Sequence, residues 1–351
     1  MKIGINGLGR IGRAIYRRCL EIEDIEVCVI NEANPDVGNI AYTLNYDTIY
    51  GPLNHPVIGK GNHLATYDGG KIAITNFAKI SDVPWSDYDV DYVIEATGLK
   101  SNLIDCHALI KDNLCRRVFV THAPGENVDF TMVLGCNENL IDIKKHKIIA
   151  TSICDATAIA PIMELLDKKI GIRAGHVTTL HPWLNYQNLM DGSSSSWSVP
   201  GEIYHHYALG RSVVGNLIPK PTSAITATTQ VLSRIKEESI GSFSYRTPTA
   251  IVGSADLTLN LSKDVSVEDV NGILNEFKRN QKWAILQIMS DPLVSLDFVN
   301  NRHSAVVDSR WTSVIGGNLL KLVLWYDNEA GYSMRVLDQI QYVDSLEKLG
   351  A

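Results

Sequence analysis

Residues 1–13 read Met1-Lys2-Ile3-Gly4-Ile5-Asn6-Gly7-Leu8-Gly9-Arg10-Ile11-Gly12-Arg13. Ile3 and Ile5 alternate as in a strand, and Gly7, Gly9 and Gly12 then stand at the G-x-G-x-x-G spacing. After them Ile11, Ile15, Cys19 and Leu20 fall on one helical face, with Arg13, Arg17 and Arg18 mostly on the other. Strand, glycine turn and helix in that order form a dinucleotide-binding unit. Its three glycines serve a tight turn, the close approach of backbone to a pyrophosphate, and the packing of helix on strand. The next strand pattern, Ile25 to Glu32, ends in an acid 20 residues beyond Gly12. A carboxylate there holds ribose hydroxyls and repels a 2′-phosphate, which favours NAD over NADP.

At 351 residues the chain has room for two domains, each with its own core. A net charge of −7 argues against a general nucleic-acid or membrane-surface partner. No apolar run approaches the roughly 18–20 residues of a membrane span, and the N-terminus reads as a strand rather than a signal peptide. The six cysteines include no Cys-x-x-Cys pair and read as the thiols of a cytoplasmic protein.

The middle of the chain offers a nucleophile. Ala150-Thr151-Ser152-Ile153-Cys154-Asp155-Ala156-Thr157 leads into a helical pattern carrying Ile159, Ile162, Met163 and Leu166. A cysteine at a helix start is expected to have its pKa lowered from about 8.5 into the ~3.5–7.5 range by the N-terminal N–H groups. His181 follows 27 residues later, at the end of the strand pattern Val177 to Trp183, where an imidazole can serve the sulfur as a base. The alternative is a buried, inert thiol.

Further strand patterns end in Ala96-Thr97-Gly98 and in Val120-Thr121-His122. In an open α/β sheet such ends line the ligand crevice, although Thr97 and Thr121 are equally explained by turn chemistry. His122, beside a proline turn, reads as a surface residue. The Asn185–Asn216 stretch is long for a connection without periodicity and suggests a functional or interface loop. Its pair His205-His206 lacks a carboxylate or cysteine at ligand spacing, so no metal is assigned. Strands return at Phe243–Pro248, Ala255–Leu261 and Leu319–Tyr326, with a helix Val267–Arg279 capped by Ser266 and a terminal helix opened by Asp327-Asn328-Glu329.

Taken together, these residues resemble the glyceraldehyde-3-phosphate dehydrogenase family along essentially the whole chain. Ile5 to Arg13 is similar to its cofactor loop. Trp325-Tyr326-Asp327-Asn328-Glu329-Ala330-Gly331-Tyr332-Ser333 is similar to its C-terminal signature with Ala330 in place of an aromatic, and the Cys154–His181 interval equals the family's. The resemblance implies an α/β fold: a Rossmann-type NAD-binding domain over 1–153 and 327–351, and an α+β catalytic and oligomerisation domain with a mainly antiparallel sheet over 154–326. It implies Cys154 as nucleophile toward an aldehyde substrate, His181 as base, and NAD as cofactor. It places Gly7, Gly9, Arg10, Ile11, Gly12, Glu32, Thr97, Thr121 and Asn328 around that cofactor and Thr222 and Arg246 on substrate anions. It also implies a homotetramer.

The departures from the family fall in one place. Ile153 and Asp155-Ala156-Thr157 replace the usual Ser before the cysteine and Thr-Thr-Asn after it, Pro182-Trp183 follows His181 where the family is threonine-rich, and Ser223 replaces a glycine after Thr222. Asp155 adds a negative charge beside the sulfur and the anion site. Two charges ~4 Å apart repel by roughly 4 kcal/mol at an effective dielectric of 20, enough to oppose phosphate as acyl acceptor and to raise the thiol pKa. Asp155 is equally readable as a helix cap or first-turn acid. The reaction that the resemblance implies is oxidation of glyceraldehyde 3-phosphate through a thioester. The alternatives are another, sugar-derived aldehyde with a different acceptor, or a non-catalytic NAD-binding protein.

Overall fold

The computed structural model describes residues 1–122, 127–194 and 206–350. Contacts within the chain group into two units, one of Met1–Thr131, Ile141–Thr151 and Val336–Ala351 and one of Met132–Leu140 and Ser152–Arg335.

The first unit is built on a nine-stranded sheet. Its centre holds β1 (Lys2–Asn6), flanked by β2 (Glu26–Asn31) and β3 (Lys71–Thr75) on one side and by β4 (Tyr92–Glu95), β5 (Arg117–Val120) and β6 (Ile148–Ala150) on the other. These strands are all parallel. Phe130–Thr131 adds a parallel edge beside β6, and the hairpin Ile58–Lys60/His63–Ala65 adds an antiparallel edge beside β3. Parallel strands are covered on both faces, so β4 and β5 are buried at every position. Helix α1 (Arg10–Cys19) follows β1 directly, and α2 (Ser101–Lys111) packs Leu103, Cys106 and Leu109 onto the core around Val93, Val118 and Trp85.

The second unit carries an eight-stranded, mainly antiparallel sheet among the described residues. In it β7 (Ile172–Pro182) lies between β8 (Ile240–Thr247), its one long parallel neighbour, and β9 (Gly253–Leu261), which pairs in turn with β10 (Leu319–Tyr326). Helix α3 (Cys154–Lys169) buries Ile159, Ile162, Met163 and Leu166 against Leu257, Leu259, Leu322 and Leu324 of that sheet. The apolar spacing predicts this face; the helix begins at the cysteine itself, ahead of the apolar repeat. Helix α4 (Val267–Asn280) opens with the expected capping box of Ser266 and Asp269, and α5 (Ala330–Gly350) closes the chain. No described helix is long and apolar enough to cross a membrane. Within the Asn185–Asn216 stretch, residues 195–205 lie outside the described residues. Its described flanks are joined by Gly192 N–H to Gly210 O (2.8 Å), Val213 N–H to Asn188 O (3.0 Å) and the ion pair Arg211–Asp191.

Candidate active site

In the first unit the glycine loop is shaped by contacts no side chain would tolerate. Gly7 sits at φ +92°, and a Cβ on it would lie 2.8 Å from Thr97. A Cβ on Gly12 would lie 2.1 Å from the Gly7 carbonyl oxygen, so the start of α1 can rest on the loop only if residue 12 is glycine. Gly9 faces open space, with nothing within 4 Å of its would-be Cβ, and caps α1 with no side chain. The helix start is thus open to a phosphate, as a pyrophosphate site requires. Glu32, just past β2, accepts from Leu8 N (2.7 Å) and Asn34 N (3.1 Å), which fixes its carboxylate beside the loop. These residues fit NAD.

The other predicted cofactor residues of this unit are held by protein groups. Arg10 pairs with Asp47, and Ile11 is in the first turn of α1. Thr97 donates both its backbone N–H (2.9 Å) and its hydroxyl to Glu95 Oε1. Thr121 Oγ1 donates to Glu95 O at 3.1 Å. Glu95 is fully buried at the end of β4, where Asn6 and Asn102 also donate to it. Burial pushes its carboxyl above the usual range. Both threonines therefore sit at the sheet's C-terminal edge with hydroxyls engaged in shaping it. His122, expected on the surface, has both ring nitrogens buried, and desolvation lowers it to about 4.

In the second unit the end of β7 meets the start of α3. His181 Nε2 lies 3.5 Å from Cys154 Sγ, and His181 Nδ1 lies 2.7 Å from Pro182 O. With its proton on Nδ1 donated to that carbonyl, the ring presents an unprotonated Nε2 to the sulfur. Burial first, then the nearby Arg246 guanidinium, lower His181 to about 4, so the ring is neutral. The thiol departs from the expectation for a helix start. Burial, followed by the Asp155 carboxylate, holds Cys154 well above the ordinary thiol value. A buried anion next to a second anion loses more than the helix N-terminus returns. The resting pair is a thiol facing a neutral imidazole.

Asp155 occupies the first turn of α3 without capping it. Its Oδ1 accepts from Tyr326 Oη at 2.8 Å and lies 3.7 Å from Cys154 Sγ. Tyr326, the last residue of β10, is a site residue that the motif reading misses. Its signal was the period-2 run Leu320, Leu322, Leu324, Tyr326, which puts the phenol on the buried face of β10. Just before the nucleophile, Ser152 adopts φ +63°, a conformation that residues other than glycine rarely take. It is held there in part by Tyr332 Oη, which donates to Ser152 O at 3.1 Å.

Arg246 is directly opposite His181 in the parallel register of β7 and β8. It donates to Pro182 O (3.4 Å) and Tyr186 Oη (3.2 Å), while its Nε is buried without a partner among the described residues. An unsatisfied buried guanidinium N–H suits an anionic ligand. Lys220, which no motif marks, stands on the edge strand Ile218–Lys220. Burial and Arg246 push it down to about 8. Thr222 Oγ1 accepts from Ala224 N at 3.1 Å. Asn328 Oδ1 accepts from Val252 N at 3.2 Å, at a valine forced to φ +68°.

Comparison with known proteins matches residues 1–103 to the family described as glyceraldehyde 3-phosphate dehydrogenase, NAD binding domain, and residues 153–328 to its C-terminal domain. The chain is 35 % identical over 343 residues to a glyceraldehyde-3-phosphate dehydrogenase of Priestia megaterium, covering 98 % of both chains. It is 35 % identical over 343 residues to glyceraldehyde-3-phosphate dehydrogenase 2 of Bacillus subtilis, covering 98 % of this chain and 96 % of that one. Over 345 residues it is 34 % identical to the enzyme of that name from Geobacillus stearothermophilus, covering 98 % of both.

Proposed function

Because the chain belongs to the glyceraldehyde-3-phosphate dehydrogenase family, we propose that it oxidises glyceraldehyde 3-phosphate with NAD through a thioester on Cys154. The observation that carries the reading is the 3.5 Å approach of His181 Nε2 to Cys154 Sγ, with Nδ1 anchored on Pro182 O. As the sulfur adds to the aldehyde carbon, its proton passes to Nε2, so a neutral thiol is activated only when substrate is in place. His181 then protonates the new oxygen, and Nε2 withdraws that proton again as the carbon is oxidised. NAD, when bound, supplies the acceptor for the hydride. Gly7, Gly9, Gly12, Arg10 and Ile11 would line its pyrophosphate and adenosine, Glu32 its ribose, Thr97 and Thr121 the crevice edge, and Asn328 its carboxamide. Arg246 and Thr222 would hold substrate anions, with Lys220 adding a second cation near Arg246.

The acyl group left on Cys154 needs a nucleophile. Inorganic phosphate is the acceptor of the nominal reaction. Asp155 favours a second reading, because a carboxylate 3.7 Å from the sulfur opposes a dianion and tolerates water or another neutral acceptor. Initial rates of NADH formation from glyceraldehyde 3-phosphate, with and without phosphate and with Cys154→Ser as control, test both. A phosphate-dependent rate abolished in Cys154→Ser supports the nominal reaction, a phosphate-indifferent rate replaces it with the second, and a full rate in Cys154→Ser overturns both. We further propose that residues 1–153 with 327–351 serve the cofactor and 154–326 the chemistry, in a cytoplasmic homotetramer. The separate family matches over 1–103 and 153–328, and the change from a mainly parallel to a mainly antiparallel sheet, support the division of labour.

A further inference from the structure

Cys154 Sγ, Asp155 Oδ1 and His181 Nε2 form a triangle with sides of 3.5 Å (S to N), 3.7 Å (S to O) and 3.9 Å (N to O). A zinc ion bonded to one sulfur, one imidazole nitrogen and one carboxylate oxygen at its usual bond lengths and tetrahedral angles sets those sides at about 3.4–3.6 Å. The three atoms are thus within a few tenths of an ångström of a zinc ligand set. Two ligands also carry the outer bonds such sites use for orientation. His181 Nδ1 is fixed on the Pro182 carbonyl, and Asp155 Oδ1 receives the Tyr326 phenol. A thiolate, a carboxylate and a neutral imidazole together balance the two charges of the ion.

We propose that Cys154, Asp155 and His181 form a three-ligand site for a borderline-soft divalent cation of the zinc class, and that its occupation reversibly silences the nucleophile. Binding replaces the S–H bond by a sulfur–metal bond and releases one proton to solvent, with no change in oxidation state. A metal on the sulfur draws off its electron density and also occupies His181 Nε2, the atom that would move the proton, so metal and aldehyde compete for the same pair. A chelator restores the free thiol. Asp155 is the residue that turns a Cys–His pair into a site, because two ligands alone rarely hold zinc against buffer. The metal site rests on the geometry alone, and the silencing rests on the aldehyde reading of Cys154.

The test uses the reduced, metal-free full-length chain. Co2+, as a spectroscopic stand-in, is expected to produce a thiolate-to-cobalt charge-transfer band that saturates at one ion per chain and is absent in Cys154→Ser. Zn2+ added to the metal-free chain should release one proton per ion, and titrated in competition with a colorimetric chelator it should displace the cobalt. Asp155→Asn should weaken Zn2+ binding at least tenfold. No saturable band in the wild-type chain overturns the site outright, which needs no variant to fold. A band that persists in Cys154→Ser, or a smaller than tenfold loss in Asp155→Asn with unchanged circular dichroism, overturns the assignment of these ligands.

Discussion

Tyr326 donates its phenolic proton to Asp155 Oδ1 at 2.8 Å, joining the last residue of β10 to the first turn of α3 across 171 positions of sequence. Both groups are buried, and a Cβ on Gly253 would lie 2.7 Å from the Tyr326 ring. The phenol is therefore pinned on the face where the carboxylate needs it.

Tyr326→Phe leaves a buried carboxylate oxygen short of a donor, at a cost of about 1–3 kcal/mol. Gly253→Ala displaces the ring and is expected to destabilise in the same direction. Urea unfolding midpoints check both, and an unchanged midpoint in Tyr326→Phe would mean that the bond contributes nothing.

Asp155 is the second cause, after burial, of the raised Cys154 thiol. Asp155→Thr is expected to move the pH profile of iodoacetamide alkylation at Cys154 toward lower pH. Below the thiol pKa, each unit of that shift raises the alkylation rate up to about tenfold, less what the weaker nucleophile gives back. A profile that stays in place would show that burial alone sets the thiol.

His181 is held at about 4 against an ordinary 6.5. Above pH 6.5 the ring is neutral whether folded or unfolded and costs nothing. As pH falls from 6.5 toward 4, only the unfolded chain takes up the proton, so stability declines by up to about 1.4 kcal/mol per pH unit for this one histidine. His122, also lowered to about 4, acts in the same direction. Unfolding free energy measured from pH 7.5 to 4.5 should fall less steeply in His181→Gln than in wild type, and parallel curves would contradict the assignment.

Gly9 and Gly12 separate the two tasks of the cofactor loop. Gly9→Ala meets nothing within 4 Å and should cost less than about 1 kcal/mol of stability, most of it from a poorer helix cap. It should nonetheless weaken NAD at least tenfold, equivalent to about 1.4 kcal/mol, by filling the space a pyrophosphate approaches. Gly12→Ala collides with the Gly7 carbonyl and should lose about 1–3 kcal/mol of stability before any cofactor is added. Thermal unfolding and NAD titration of the two variants give the comparison.

Short windows of the amino-acid order specify the local architecture. The strand–glycine–helix start, the acid after β2 and the apolar face of α3 follow from periodicity and spacing within short windows, where backbone geometry leaves few choices, whereas the pairing of Cys154 with His181 is implied by the family resemblance. The fold settled which of two opposed effects on the sulfur wins, the helix start that lowers a thiol or the Asp155 charge that raises it. The Asp155 charge acts upward as its place beside the cysteine implies, and burial, which no short window of sequence reveals, adds the larger share. The tertiary structure also decided that Arg246 faces His181, a matter of strand register, and that Tyr326 reaches Asp155. These depend on desolvation and on contacts between distant segments, and a group's proton affinity answers to every charge and dipole around it, wherever in the chain they originate.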